Sequence, residues 1–274
     1  MHILERVKHD LATKGRGQYS LKVDQFDLHA FVSGLERNPA RMCYNSFTET
    51  LSVEMPSWIH GSGFDWINMW IFTMMLQGYI RQGSLLARTC ITLEGFSGRF
   101  SGRYLTYSPS VITACTNNCS TKEPDCFIVP GGIWPSVTLE VGYSETYTKL
   151  LRDADLLLEG SEGEIRVMIL VKVVPLGPND TQFTSGFVEL HEYDPASGTR
   201  KIRGHRRTLY PIPRGHAQQR LTLQWDDIIR DNTGHLLQPL SRPPPPLMLD
   251  ELRKFLDFGL NQKLMSPGTG SVEF

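Results

Sequence analysis

Between residues 136 and 174 three patterns follow one another with almost no gap, and together they admit few folds. Residues 136–142, SVTLEVG, alternate: Val137, Leu139 and Val141 share one face, and Thr138, Glu140 and Gly142 share the other. That is the period-two signature of a strand. Over 144–159, Tyr147, Leu150, Leu151, Ala154, Leu157 and Leu158 fall at i, i+3, i+4, i+7, i+10 and i+11. This is the apolar stripe of an amphipathic helix, and Gly160 is its expected C-terminal stop. Residues 164–174 contain VMILVKVV, nearly continuous in apolar residues as in a strand covered on both faces. Strand, helix and buried strand make a βαβ crossover, expected to be right-handed. The strands carrying Glu140 and Lys172 are therefore expected to be parallel neighbours in an α/β (α+β) domain.

The carboxylate on the first of these strands needs a partner. A charge buried mid-strand among apolar neighbours is costly unless a cation, a metal or a set of donors compensates it. Upstream, Pro124-Asp125 heads the short apolar run CFIV at 126–129, and Pro130-Gly131-Gly132 closes it. A turn there sets the two strands side by side, so Asp125 and Glu140 approach a common point. Two carboxylates at one point repel, and a hard divalent cation such as Mg²⁺ removes the repulsion. The plain alternative is a turn aspartate after proline and a glutamate paired with an arginine; the residues alone leave both open.

The rest of the chain reads as scaffold. Its 274 residues suffice for one large domain, or one with extensions. We divide it into an arm at 1–43, a domain at 44–232, a proline-rich linker at 233–246 and a C-terminal helix and tail at 247–274. Residues 52–55 suggest a strand that ends at Pro56-Ser57. A helix follows to about residue 82, capped by Ser62 or Asp65 and stopped by Gly83. Its apolar residues cover most of the circumference, as in a helix buried between layers. Asp65, Asn68, Thr73 and Gln77 interrupt it, which argues against a membrane span. Strands are expected at 85–93, more weakly at 103–107, and at 221–225. A hairpin is expected from 183–193 and 199–210 around Asp194-Pro-Ala-Ser-Gly198. After Pro243–Pro246, Leu249, Leu252, Phe255, Leu256 and Leu260 mark a final amphipathic helix.

Composition bounds the partners. A net charge of −1 gives no global field toward nucleic acid. Locally, residues 195–224 hold seven of the 28 basic residues and no acid. Arg200, Lys201, Arg203, Arg206 and Arg207 there are candidates for contact with a phosphate backbone, unless they line a solvated hairpin. The start, MHILERVKHDLATKGRG, has no apolar core like that of a signal peptide. The five cysteines are odd in number and lack the spacing of a disulfide framework. A reducing intracellular compartment, cytoplasm or nucleus, is expected. Cys115, Cys119 and Cys126 have neither a second pair nor a nearby histidine, so free thiols are expected rather than a zinc site.

Taken in order, these elements resemble the PD-(D/E)XK, or restriction-endonuclease-like, superfamily. The nearer likeness is to a bacterial branch of endonuclease-like proteins and their fungal relatives. The residues that carry it are Glu54-Met55-Pro56-Ser57 with His60, then Pro124-Asp125, then Leu139-Glu140-Val141-Gly142-Tyr143-Ser144-Glu145. The likeness spans roughly residues 44–174. It implies an αβββαβ core with a mixed central sheet flanked by helices, plus N- and C-terminal extensions. It also implies Mg²⁺- or Mn²⁺-dependent hydrolysis of phosphodiester bonds in nucleic acid, DNA before RNA. Asp125 and Glu140 would hold the metal. The family's lysine two residues after the glutamate is replaced here by Gly142. Lys149 and Arg152 on the following helix are the candidates for its role, and Lys172 on the next strand is a third. His60 reads as a hydrogen-bonded turn histidine, and Glu49 and Glu54 as reserve carboxylates. The alternative is a nuclease-like fold without catalysis, serving as a nucleic-acid-binding or protein-interaction module. A homodimer is compatible with either reading.

Overall fold

The computed structural model describes residues 18–22, 41–45, 49–54, 57–79, 98–101, 104–106, 121–122, 124–129, 135–229 and 242–265. The expected strand at 85–93, Cys115 and Cys119 lie outside these residues. The elements in chain order are β1 (Gln18–Lys22), β2 (Arg41–Asn45), β3 (Thr50–Glu54), α1 (Trp58–Leu76), β4 (Gly98–Ser101), β5 (Tyr104–Thr106), β6 (Thr121–Lys122), β7 (Cys126–Ile128), β8 (Val137–Gly142), α2 (Tyr147–Leu158), β9 (Val167–Val173), β10 (Gly186–Asp194), β11 (Thr199–Tyr210), β12 (Arg220–Leu221), α3 (Trp225–Ile228), β13 (Leu247–Met248) and α4 (Leu249–Met265). A 3-10 turn at His216–Gln218 links β11 to β12. The protein is a mixed α/β structure with a five-stranded mixed central sheet and four helices among the described residues.

The central sheet runs β11-β10-β9-β8-β7. As the βαβ pattern requires, β8 and β9 are parallel, with Val137 beside Val167 and Gly142 beside Lys172. The other pairs are antiparallel. Every residue of β9 is buried, consistent with its apolar run. A six-stranded antiparallel sheet, β1-β3-β2-β6-β4-β5, lies beside it. The chain passes from one sheet to the other between Lys122 on β6 and Cys126 on β7.

Alternation along β8 is obeyed. Val137, Leu139 and Val141 join Ile169, Val171 and Val188 in the main core against α1. Gly63 sits where α1 crosses β8; a Cβ there would come within 2.4 Å of Leu139 and 2.7 Å of Val141. The opposite face packs on α2, where Ala154, Leu157, Leu158, Ile165 and Met168 form a second cluster.

The start and stop of α1 differ from the sequence expectation. Ser57, extended at φ −108° and ψ 165°, is the N-cap, and His60 takes the place that a glutamate holds in an ordinary capping box. Gly78, at φ +73°, ends the helix before Gly83 is reached. Nor is α1 buried all round. Trp66, Ile67, Trp70, Ile71 and Met74 are buried, but Trp58, Met69, Phe72 and Leu76 are exposed. Likewise α2 starts later than residue 144: Thr146 caps it by accepting a hydrogen bond from the Lys149 N–H. The segment 221–225 is strand only at its start and turns into α3.

The C-terminal segment joins the same core. Leu249, Leu252, Leu256 and Leu260 pack with the α1 residues. Gly259 lets α4 approach so closely that a Cβ would lie 2.6 Å from both Ser62 Oγ and the Trp58 carbonyl oxygen. Ser62 Oγ donates to the Phe255 carbonyl at 2.8 Å. The indoles of Trp66 and Trp70 donate to the carbonyls of Met248 and Pro245 at 3.0 and 2.7 Å. The proline-rich stretch is thus tied to α1 through its main chain. No helix among the described residues is long and apolar enough to cross a membrane.

Candidate functional site

The antiparallel register of β7 and β8 sets Cys126 beside Leu139, Phe127 beside Thr138 and Ile128 beside Val137. Continued by one residue, it puts Asp125 opposite Glu140. Glu140 projects to the α2 side, where Lys122 and Asp153 lie. Asp125 and Glu140 are both buried, at 6% and 4% exposure. Asp125 Oδ2 accepts the Val141 N–H at 2.6 Å, which fixes its carboxyl group against the strand that bears Glu140. The expected side-by-side arrangement of the two strands is present.

The cation beside Glu140 is one the sequence reading did not name. Lys122 Nζ, arriving from β6 and the other sheet, lies 3.0 Å from Glu140 Oε1. The contact is close enough for strong attraction although it is off the line of a directed hydrogen bond. The same ammonium lies 3.3 Å from Asp153 Oδ2 on α2. Lys149 Nζ donates to that Asp153 oxygen at 3.1 Å. Lys122 and Asp153 are each only 6% exposed. Two carboxylates from two elements therefore converge on one buried ammonium, and a second ammonium flanks them.

The basic residues singled out from the sequence fall in different places. Burial, the largest single effect, works to lower the Lys149 pKa, but attraction to Asp153 and Glu145 together with the Asp153 hydrogen bond outweighs it and holds the ammonium above the ordinary lysine value. Arg152 is exposed on α2. Lys172 lies beside Gly142 on the neighbouring strand. Its Nζ donates to the carbonyls of Tyr143 and Val173 at 2.9 and 3.1 Å. Burial lowers its pKa, and Glu145 opposes that shift.

At the end of β8 the site meets α1. His60 Nδ1 accepts the Ser57 N–H at 3.2 Å and lies 2.8 Å from Ser57 Oγ. This fits its reading as a turn histidine. Its Nε2 lies 3.8 Å from Glu145 Oε2, which in turn accepts the Tyr143 N–H at 3.2 Å. Glu49 is exposed in a turn at φ +48°, and Glu54 ends β3. Among the described residues no group of three or more His, Cys, Asp or Glu is arranged to hold a metal.

The basic run lies on β11, the edge opposite β7, three strand positions from β8 and so ~14 Å away. Its charges are largely answered by local acids. Arg200 pairs with Asp155 at 2.5 Å, Lys201 with Glu192 at 3.3 Å, and Arg203 with Glu192 and with Asp227 at 2.6 Å. Arg206 pairs with Glu189 at 2.8 Å and stacks over Phe187, with its guanidinium 3.7 Å from the ring centroid. Arg207 stands opposite Val188. Glu189 occupies the same row of the sheet as Glu140, with Leu170 between them. Burial would raise its pKa, but hydrogen bonds from His191, Arg206 and Tyr147 prevail and hold it down to about 2.

No protein family, no curated protein and no solved structure matches the chain.

Proposed function

We propose that this protein is a divalent-cation-dependent nuclease that hydrolyses phosphodiester bonds of nucleic acid, DNA before RNA. The observation that carries the reading is that Asp125, just before β7, takes the Val141 N–H on β8, next in the chain to Glu140, and that both carboxylates are buried. The fold reading goes with it: α1, β7, β8, α2 and β9 form a restriction-endonuclease-like core. Support comes from α1 packing across β8, the antiparallel β7–β8 pair and the parallel β8–β9 pair.

The donor set suits a hard cation. Mg²⁺ and Mn²⁺ take oxygen ligands, and Mg²⁺ keeps several waters while using one or two protein carboxylates. Asp125 and Glu140 would be those carboxylates. Such an ion, when bound, supplies an acidified water and neutralises charge on the phosphate. The chain supplies the rest. Lys149 and Arg152 stand in the first half of α2, whose N-terminal end favours anions. They would meet the non-bridging oxygens of the substrate. The test is incubation with linear, circular and single-stranded DNA and with RNA, in Mg²⁺ or Mn²⁺, beside the double variant Asp125→Ala/Glu140→Ala. Equal cutting by both proteins overturns the reading.

One observation favours a second reading, a nuclease-like fold that binds without cutting. Lys122 already answers the Glu140 charge, and the Val141 N–H already engages Asp125. Metal-dependent turnover that disappears in Glu140→Gln would remove this reading.

A further inference from the structure

Resting on the nuclease reading, we infer that Lys122 is a tethered counter-ion which a divalent cation displaces from Glu140, and that Asp153 is the carboxylate that keeps it in the site. The ammonium lies 3.0 Å from Glu140 and 3.3 Å from Asp153, almost midway between carboxylates on a strand and a helix. A small rotation of one long side chain therefore moves it away from Glu140 and toward Asp153. Lys122 and a divalent cation cannot both sit at contact distance from Glu140 without strong repulsion in a buried setting. Binding of the divalent ion and departure of Lys122 are thus one exchange, and the position of Lys122 sets the affinity.

Two further observations make Lys122 the residue for this role. Position 142 follows Glu140 on the same face, but a Cβ there would lie 2.2 Å from Leu150 Cδ1, so a charge carried from that position would first have to displace Leu150. Lys172, its neighbour across the strands, has its ammonium on the Tyr143 and Val173 carbonyls. Lys122 comes instead from β6, three residues before Asp125, and so reaches the site from the other sheet. Displaced to Asp153, it joins Lys149 on the same carboxylate and leaves two ammonium groups beside the bound cation.

The experiment is calorimetric titration of the full chain with Mn²⁺ alone, at fixed pH and low salt, without substrate. Lys122→Met, close in shape to lysine, should bind Mn²⁺ roughly tenfold tighter or more. Lys122→Arg should stay near the wild type. Asp153→Asn should bind roughly tenfold more weakly, because the carboxylate that draws Lys122 away from Glu140 is then gone. Thermal melts establish that each variant is folded; if Lys122→Met is not, Asp153→Asn decides. Unchanged or weaker Mn²⁺ binding by folded Lys122→Met, or unchanged binding by Asp153→Asn, overturns the exchange. Wild-type binding that is lost in Glu140→Gln leaves the carboxylate site standing in that event. Absence of Mn²⁺ binding by the wild type overturns both proposals.

Discussion

Leu150 fills the space that any side chain at Gly142 would need. A Cβ on Gly142 would lie 2.2, 2.9 and 3.0 Å from three Leu150 carbons. The glycine is therefore part of how α2 docks on β8, and its substitution is a packing event before it is a chemical one. Gly142→Lys should lower the urea midpoint. Leu150→Ala should cost about 2–5 kcal/mol. The double variant Gly142→Ala/Leu150→Ala should cost less than the sum of the two single changes, because the new methyl enters the cavity that leucine leaves. Additive costs in urea unfolding would show that the two positions do not share space.

Glu189 makes a definite prediction about acid. Its folded pKa of about 2 lies below the ordinary 4.5. The unfolded chain therefore binds the proton more readily, and the stabilising contribution is full above about pH 4.5 and lost as pH falls toward 2. Melting temperature followed from pH 6 to pH 2.5 should fall more steeply for the wild type than for Glu189→Gln. Parallel curves would refute the assignment.

Arg253 clamps α4 to the central sheet. It is 3% exposed, and it donates to the carbonyls of Leu209 at 3.0 Å and Thr208 at 3.1 Å while pairing with Asp250 at 2.6 Å. Replacement by leucine leaves buried acceptors without a donor and should cost roughly 3–5 kcal/mol. Chemical denaturation of Arg253→Leu checks this value; a loss below about 1 kcal/mol would count against the clamp.

The α1–α4 contact predicts a contrast between two small changes. Gly259→Ala places a methyl within 2.6 Å of the Trp58 carbonyl oxygen, and main chain cannot step aside, so the variant should be clearly destabilised. Phe72→Ser removes a ring that is 51% exposed and should stay within about 0.5 kcal/mol of the wild type. Equal melting temperatures for the two variants would contradict the close approach at Gly259.

What could be read in advance follows from the range of each signal. The alternation through Val137, Leu139 and Val141, the stripe from Leu150 to Leu158 and the apolar run of β9 are local patterns. They placed the parallel pair of β8 and β9 and set β7 beside β8. Lys122 was not legible, because β6 is held by long-range partners: Tyr44 pairs with Thr121, and Gly98 with Lys122. Asp153 escaped notice because it lies off the apolar stripe of its own helix, and the ammonium of Lys122 reaches it from another sheet. The basic run 200–207 looked like an open patch because its acids, Asp155, Glu189, Glu192 and Asp227, come from other elements. In α1, hydrophobic residues all round the wheel could not reveal that Met69 and Phe72 face outward.

Lys122 on β6 and Cys126 on β7 are separated by three residues, yet they belong to different sheets. The charge balance at Glu140 is therefore a gauge of how the two sheets stand to one another. Attraction in a buried pair changes steeply with separation at 3 Å. A load on the six-stranded sheet, far from any carboxylate, would register at Glu140 as a change in electrostatic potential.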